Sequence, residues 1–268
     1  DILSNYEKNN VYVLKGNDGM NYFNPNIKLI KNIDVYNYYD ISEFCIKNNI
    51  YYVIIGSEEH LAKGITEYLE DKYINVIGPT KSAAKLESSK YYAKQFMTSV
   101  GIPTANYEVY SYEALVDYVQ ELKKDLINNN DYLNKINNII KNLVVKLDGL
   151  AFGKGVYLPN TIEEMENVLN ELSNNKNLNK LTDKIIVEKR INGIEFSMMC
   201  FCDGEDILFM PHSKDYKKIG ENDTGLNTGG MGSISNVKIV DEKHLIYIKE
   251  KIKNYILKTK YKGILYTG

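Results

Sequence analysis

Along its first ninety residues the chain alternates short apolar runs with amphipathic stretches. Runs at Asn10–Gly16, Ile27–Ile33, Ile50–Gly56 and Ile74–Gly78 are separated by helix-period segments at Ile41–Asn49 and Leu61–Lys72. This rhythm predicts strands joined by crossover helices in an open parallel sheet. Thr80 is placed to cap a helix that runs on to Gly101, with Pro103 barring a restart. A further helix-rich stretch begins at Tyr110 and passes into the Asn-rich segment Ile127–Asn142, whose low complexity suggests a surface insertion. A second alternation follows. Strand Leu143–Gly149, a glycine-rich turn, strand Gly155–Leu158, helix Thr161–Leu172, an Asn-rich loop, and strands Lys184–Lys189 and Ile194–Gly204 come in order. Thr161 and Glu164 have capping-box spacing at the helix start. The chain then passes through Asp206–Pro211 into a glycine-rich loop over Gly225–Gly232 and ends on an apolar run, Gly263–Gly268.

At 268 residues and 44% hydrophobic the chain has material for two or three compact units. A formal charge of -2 supplies no basic field for nucleic acid, so an anionic ligand must be met by local positive charge. Cys45, Cys200 and Cys202 are an odd number without a C-x-x-C pair, which argues against a disulfide framework or a zinc centre and for a reducing cytoplasm. Two positions apart on one strand, Cys200 and Cys202 share a face and read as buried thiols. No apolar run approaches the ~20 residues of a membrane span.

Chemistry concentrates in three segments. In Lys146–Gly155, "KLDGLAFGKG", residues Leu143, Val145 and Leu147 occupy one strand face and put Lys146 beside Val144 on the other. A lysine there either snorkels to water or meets an anion. Gly149, Gly153 and Gly155, bracketing Lys154, form a turn whose backbone N–H groups could approach phosphates, or an ordinary hairpin turn. The spacing is neither that of a Walker A loop nor G-x-G-x-x-G. Glu188 and Glu195 stand at the end of one strand and the start of the next, as acceptors for ribose hydroxyls or as solvated charges. Lys90 after "LESS" reads most simply as an exposed helix residue, and His212 beside Pro211 as a structural histidine. In "HSKDYKKIGENDTGLNTGGMGS", Asp215, Lys217 and Lys218 combine an amine acceptor with phosphate-pairing cations, and Gly229, Gly230 and Gly232 give a backbone able to wrap a ligand.

Taken together, "GPT…LESSK", "VVKLDGLAFGKGV", "IIVEKRINGIEFS" and "DYKKIGENDTGLNTGGMG" resemble the glycinamide ribonucleotide synthetase (phosphoribosylamine-glycine ligase) family of the ATP-grasp superfamily. The first three segments are shared widely among ATP-grasp enzymes; Asp223–Gly232 points to this member. The resemblance implies an α/β fold with an N-terminal Rossmann-like domain over 1–87, a linker and start of the central domain over 88–106, a lid over 107–196 and the central domain from 197 to 268. It implies that Lys90, Lys146, Gly153, Lys154, Gly155, Glu188 and Glu195 bind ATP. It places Asp215, Lys217, Asn227 and Thr228 at the reaction, with Glu58, Asp223, Thr224, Gly225, Gly229 and Gly230 also facing glycine and phosphoribosylamine. The implied reaction makes glycinamide ribonucleotide, ADP and phosphate through glycyl phosphate, with Mg2+ or Mn2+, in the cytoplasm, alone or fused to other purine-pathway enzymes. Another ATP-grasp carboxylate-amine ligase and a non-catalytic nucleotide-binding fragment are the competing readings.

The departures are specific. Gly56, Ser57, Glu58, Glu59 and His60 stand where the family shows Gly-Pro-Glu-Ala-Pro; Lys189 replaces an acidic residue and Leu226 a proline. The family pattern begins before residue 1 and carries its metal ligands beyond Gly268, so the expectation is that these 268 residues alone hold nucleotide weakly and complete no ligation.

Overall fold

The computed structural model describes residues 10–24, 26–124, 130–149, 155–175, 178 and 183–267. The chain divides into two compact units, 1–81 and 82–268.

In the first unit, β1 (Val11–Leu14), α1 (Gly19–Phe23), β2 (Ile27–Ile30), α2 (Tyr38–Lys47), β3 (Tyr52–Ile54), α3 (Glu58–Lys63), α4 (Ile65–Glu70) and β4 (Asn75–Ile77) follow in order. β1 pairs with β2 and β3 with β4, each in parallel. The expected parallel pairing is thus present, as two separate two-stranded ladders among the described residues. Ile41 and Cys45 from α2 pack with Ile65 and Leu69 from α4, an i, i+4 pair on each helix, to form this unit's core with Ile74. The turn between α3 and α4 is made at Gly64, whose φ of 92° is in the left-handed region open to glycine.

α5 (Lys81–Ser88) starts at the last residue of the first unit and runs into the second, where α6 (Lys90–Val100) follows. The single helix expected from Thr80 to Gly101 is broken at Ser89, which adopts extended backbone angles and caps α6, its Oγ accepting from the Tyr92 N–H at 3.1 Å. β5 (Tyr107–Tyr110), α7 (Tyr112–Lys124), α8 (Asn130–Ile140), β6 (Leu143–Leu147), β7 (Val156–Tyr157), α9 (Ile162–Asn174) and β8 (Ile185–Lys189) follow. The sheet runs β5-β8-β6-β7 with every neighbour antiparallel. One face is covered by the three helices: Leu115 and Val119 from α7, Ile136 and Ile140 from α8, and Met165, Leu169 and Leu172 from α9 pack on Val145, Leu147, Ile185 and Val187.

Within the Asn-rich segment, the described part is therefore a core helix and not the expected surface insertion. Ile136 and Ile140 are buried one turn apart, and Asn137 Oδ1 accepts from the Ile162 N–H at 2.9 Å. Thr161 caps α9 as expected, accepting from the Glu164 N–H at 3.1 Å, and Glu164 in turn accepts from the Asn160 N–H at 2.6 Å.

The chain ends with β9 (Met198–Asp203), β10 (Ile207–Phe209), β11 (Ser213–Gly220), β12 (Thr224–Ser235), α10 (Glu242–Thr259) and β13 (Lys262–Thr267). β10-β9-β13 form an antiparallel sheet. Met198, Cys200 and Cys202 lie on its buried face against Ile252, Tyr255 and Ile256 of α10. The shared thiol face is as expected: the two sulfurs are 3.7 Å apart, and burial pushes Cys202 up to about 12. The glycine-rich stretch expected to be a loop is instead the second arm of an antiparallel hairpin, β11–β12, with register irregularities near Lys218.

Candidate active site

Opposite the helix-covered face, the β5-β8-β6-β7 sheet carries charge. Val144 of β6 lies directly across from Glu188 of β8, and Lys146 across from Ile186, so Lys146 and Glu188 are diagonal neighbours within reach of long side chains. Glu188, expected from sequence as an acceptor or a solvated charge, is buried with 6% of its side chain exposed, and Lys146 pairs with its Oε1. Lys94 of α6, 9% exposed, pairs with Oε2. That approach has no hydrogen-bond geometry, so Oε2 makes an ion pair without a hydrogen bond. The Lys94 ammonium donates to Thr104 Oγ1 at 2.8 Å and lies 5.6 Å from the Tyr107 ring centre. One buried carboxylate is thus shared by two cations. Of these Lys146, 28% exposed, is the one that also reaches the surface.

The strand leaves this network into the glycine turn. Leu147 N–H donates to Gly155 O at 2.8 Å, closing the turn's base, and Gly149 takes a φ of 97°. Gly153 and Lys154 lie outside the described residues. At the base, Asp148 meets the start of α6: Ser89 Oγ donates to both carboxylate oxygens at 3.0 and 3.1 Å, and the Tyr91 N–H to Oδ1 at 3.1 Å. A carboxylate at a helix N-terminus satisfies donors that have no intrahelical acceptor. Lys90, read most simply as an exposed helix residue, donates to the carbonyls of Leu147 and Gly149 at 3.1 and 3.0 Å. The cation is therefore held at the root of the turn.

Asp215 and Lys217 point to the same side of β11, two residues apart, and with Gly230, Gly232 and Ser233 they line a hollow of about 220 Å³. Thr228 Oγ1 donates to Lys217 O at 2.8 Å and accepts from the Gly230 N–H at 3.0 Å, tying the two arms together. Thr224 Oγ1 donates to Glu221 O at 2.7 Å, and Gly225 has a φ of 82°. Asp223, Asn227 and Gly229 belong to the hairpin by backbone alone; their side positions lie outside the described residues. Glu195 is 85% exposed and 3.7 Å from Lys217 Nζ, which joins a residue expected at the ribose to one expected at the reaction. His212, read as a structural histidine, lies edge-on to Phe196 with its Nε2 buried and without a hydrogen bond. In the first unit Glu58 opens α3, exposed, while its neighbours are tied down: Tyr36 Oη donates to Glu59 at 3.0 Å, and Tyr38 Oη lies 3.3 Å from His60 Nδ1.

Sequence reasoning missed Lys94, Ser89 and Asp148. The signal for Lys94 was its spacing, one helical turn after Lys90 on a helix whose other flank carries Phe96 into the β9 core. Asp148 is paired with residues 57 and 59 positions away, which no local pattern reports.

The four-stranded antiparallel sheet, with Glu188 held between Lys94 and Lys146, and the three-stranded sheet packed on α10 are the two α/β layers of an ATP-grasp fold. Residues 88–268 match the family model of the phosphoribosylglycinamide synthetase ATP-grasp (A) domain, and residues 2–87 that of its N domain. The chain belongs to the phosphoribosylglycinamide synthetase family. It is 37% identical over 84% of its length to a phosphoribosylamine–glycine ligase of Caldanaerobacter subterraneus, and 34% identical over 96% to a bifunctional purine biosynthetic protein of Pichia angusta. It superposes on the Thermotoga maritima phosphoribosylamine–glycine ligase with a TM-score of 0.71 at 27% identity, covering 97% of this chain and 59% of that one. The chain spans 52% of the Caldanaerobacter relative and 30% of the Pichia one.

Proposed function

We propose that this chain belongs to an enzyme that joins glycine to 5-phosphoribosylamine at the expense of ATP, giving glycinamide ribonucleotide, ADP and phosphate. The observation that carries the reading is the Lys146–Glu188–Lys94 network at the end of β6, in a chain of this family. The γ-phosphoryl group passes to the glycine carboxylate. The amine of phosphoribosylamine then attacks the glycyl carbonyl, the C–O bond to phosphate breaks, and the amine loses a proton. The first step brings two anions together and the second expels a phosphate anion, so the protein's work is positioning and charge neutralisation, not nucleophilic attack by a side chain.

In this reading residues 107–196 are the lid. Lys90 and Lys146, with the turn over Gly153–Gly155 and Lys154, hold the phosphates; Glu188 and Glu195 face the nucleoside. Asp215, an acceptor for the incoming amine, Lys217, Asn227 and Thr228 face the reacting groups, and Glu58, Asp223, Thr224, Gly225, Gly229 and Gly230 complete the substrate contacts. Among the described residues no group of three or more His, Cys, Asp or Glu side chains could hold the Mg2+ or Mn2+ that this reading calls for. A cytoplasmic location fits the reading, and among the described residues no helix is long and apolar enough to cross a membrane. The bifunctional Pichia relative makes fusion to other purine-pathway enzymes part of it.

The test compares two lysines by calorimetric titration with ATP. Lys146→Ala should weaken binding about 10- to 100-fold, the value of a charge-assisted contact. Lys123→Ala, which breaks only the Lys123–Glu166 surface pair, should leave it unchanged. Equal affinities would remove Lys146 from the nucleotide site. Phosphate release that requires both glycine and phosphoribosylamine tests the reaction itself.

A further inference from the structure

We infer that Lys94 is a positioning residue that frees Lys146 for the nucleotide by keeping Glu188 neutralised when Lys146 leaves it. The inference rests on the reading that Lys146 meets ATP. Glu188 is a buried carboxylate with one cation on each oxygen. The two cations are not equivalent. Lys94 is enclosed, 9% exposed, and fixed by Thr104 Oγ1 at 2.8 Å and Ala105 O at 3.4 Å. Lys146 is 28% exposed and stands at the end of the strand that becomes the glycine turn.

A polyanion that Lys146 binds draws its ammonium away from Glu188. Without Lys94, this movement would strand a negative charge in the sheet, which is among the costlier arrangements a protein interior can hold. Glu188 would then either retain Lys146 against the ligand or take up a proton as the ligand binds. With Lys94 in place the carboxylate keeps a fixed counter-charge, and Lys146 moves at little cost. The groups facing Glu188 are Lys94 from α6, Lys146 from β6 and Tyr107 from β5, directly across the ladder.

Lys94→Met keeps the length of the side chain and removes its charge. ATP titrated into this variant in two buffers of different ionisation enthalpy should show about one proton taken up per nucleotide bound beyond wild type, and affinity about tenfold weaker at pH 8 that recovers as pH falls. Lys94→Arg should behave as wild type. Lys94→Met/Glu188→Gln should lose the extra uptake, because no carboxylate remains to be protonated. A purely structural lysine would lower stability without creating a linked proton. Should Lys94→Met not fold, Thr104→Val, which loosens the Lys94 ammonium, carries the same proton test. Unchanged affinity and proton uptake in the folded variant would overturn the inference while leaving Lys146 in place. If Lys146→Ala also binds ATP normally, the functional reading fails first.

Discussion

Replacing Asp148 by Asn keeps the shape of the side chain at the root of the glycine turn and removes its charge. The carboxylate accepts from two donors, Ser89 Oγ and the Tyr91 N–H, at 3.0 to 3.1 Å. Hydrogen bonds to a charged group contribute about 1.5–3 kcal/mol and neutral ones about 0.5–1.5, so each donor loses about 1 kcal/mol. Losing a negative charge at the start of α6 adds about 0.3–1 kcal/mol, for a total of about 2–3 kcal/mol. Ser89→Ala removes the helix cap to Tyr92, typically ~1 kcal/mol, and one of the same Asp148 contacts. Because the two substitutions share that contact, the double variant should be destabilised by about 1 kcal/mol less than the sum of the singles.

Urea unfolding followed by circular dichroism suits a chain without tryptophan. With a slope of about 2 kcal/mol per molar, Asp148→Asn should lower the midpoint by ~1 M. An unmoved midpoint, or additivity within about 0.3 kcal/mol, would refute the clamp between α6 and the turn.

Two further outcomes are expected. Ile140→Ala, at a fully buried position of α8, should cost about 2–5 kcal/mol in the same unfolding measurement, whereas Asn138→Ala on the exposed side should stay within about 0.5 kcal/mol. Asp241 caps α10, and the His244 backbone N–H and ring together hold its carboxyl below the ordinary 3.8. Its contribution is therefore present above that value and disappears as pH falls through the lower folded one, so Asp241→Asn should melt below wild type at pH 7, the two melting curves converging in strong acid.

How much of this was legible in the sequence depended on the range of the interaction responsible. Alternation placed Val145 and Leu147 on one face of β6 and Lys146 on the other, and local caps fixed the start of α9, because strand period and helix ends are properties of a few neighbouring residues. The motif residues likewise pointed to an ATP-grasp chain, and the family match agrees. Where a distant partner decides, the sequence was silent or misleading. The Asn-rich segment reads as a polar insertion until Ile136 and Ile140 find the core beneath the β5-β8-β6-β7 sheet, and the glycine-rich stretch reads as a loop until β11 supplies its hydrogen bonds. The break at Ser89 suits the Asp148 carboxylate that meets it from the far end of β6. Sequence alone determined which residues carry charge and, on β6, which strand face they occupy. Only the tertiary structure decided that Glu188 is buried between two lysines, since the free energy of burying a charge depends on counter-charges brought from α6 and β6, far away along the chain.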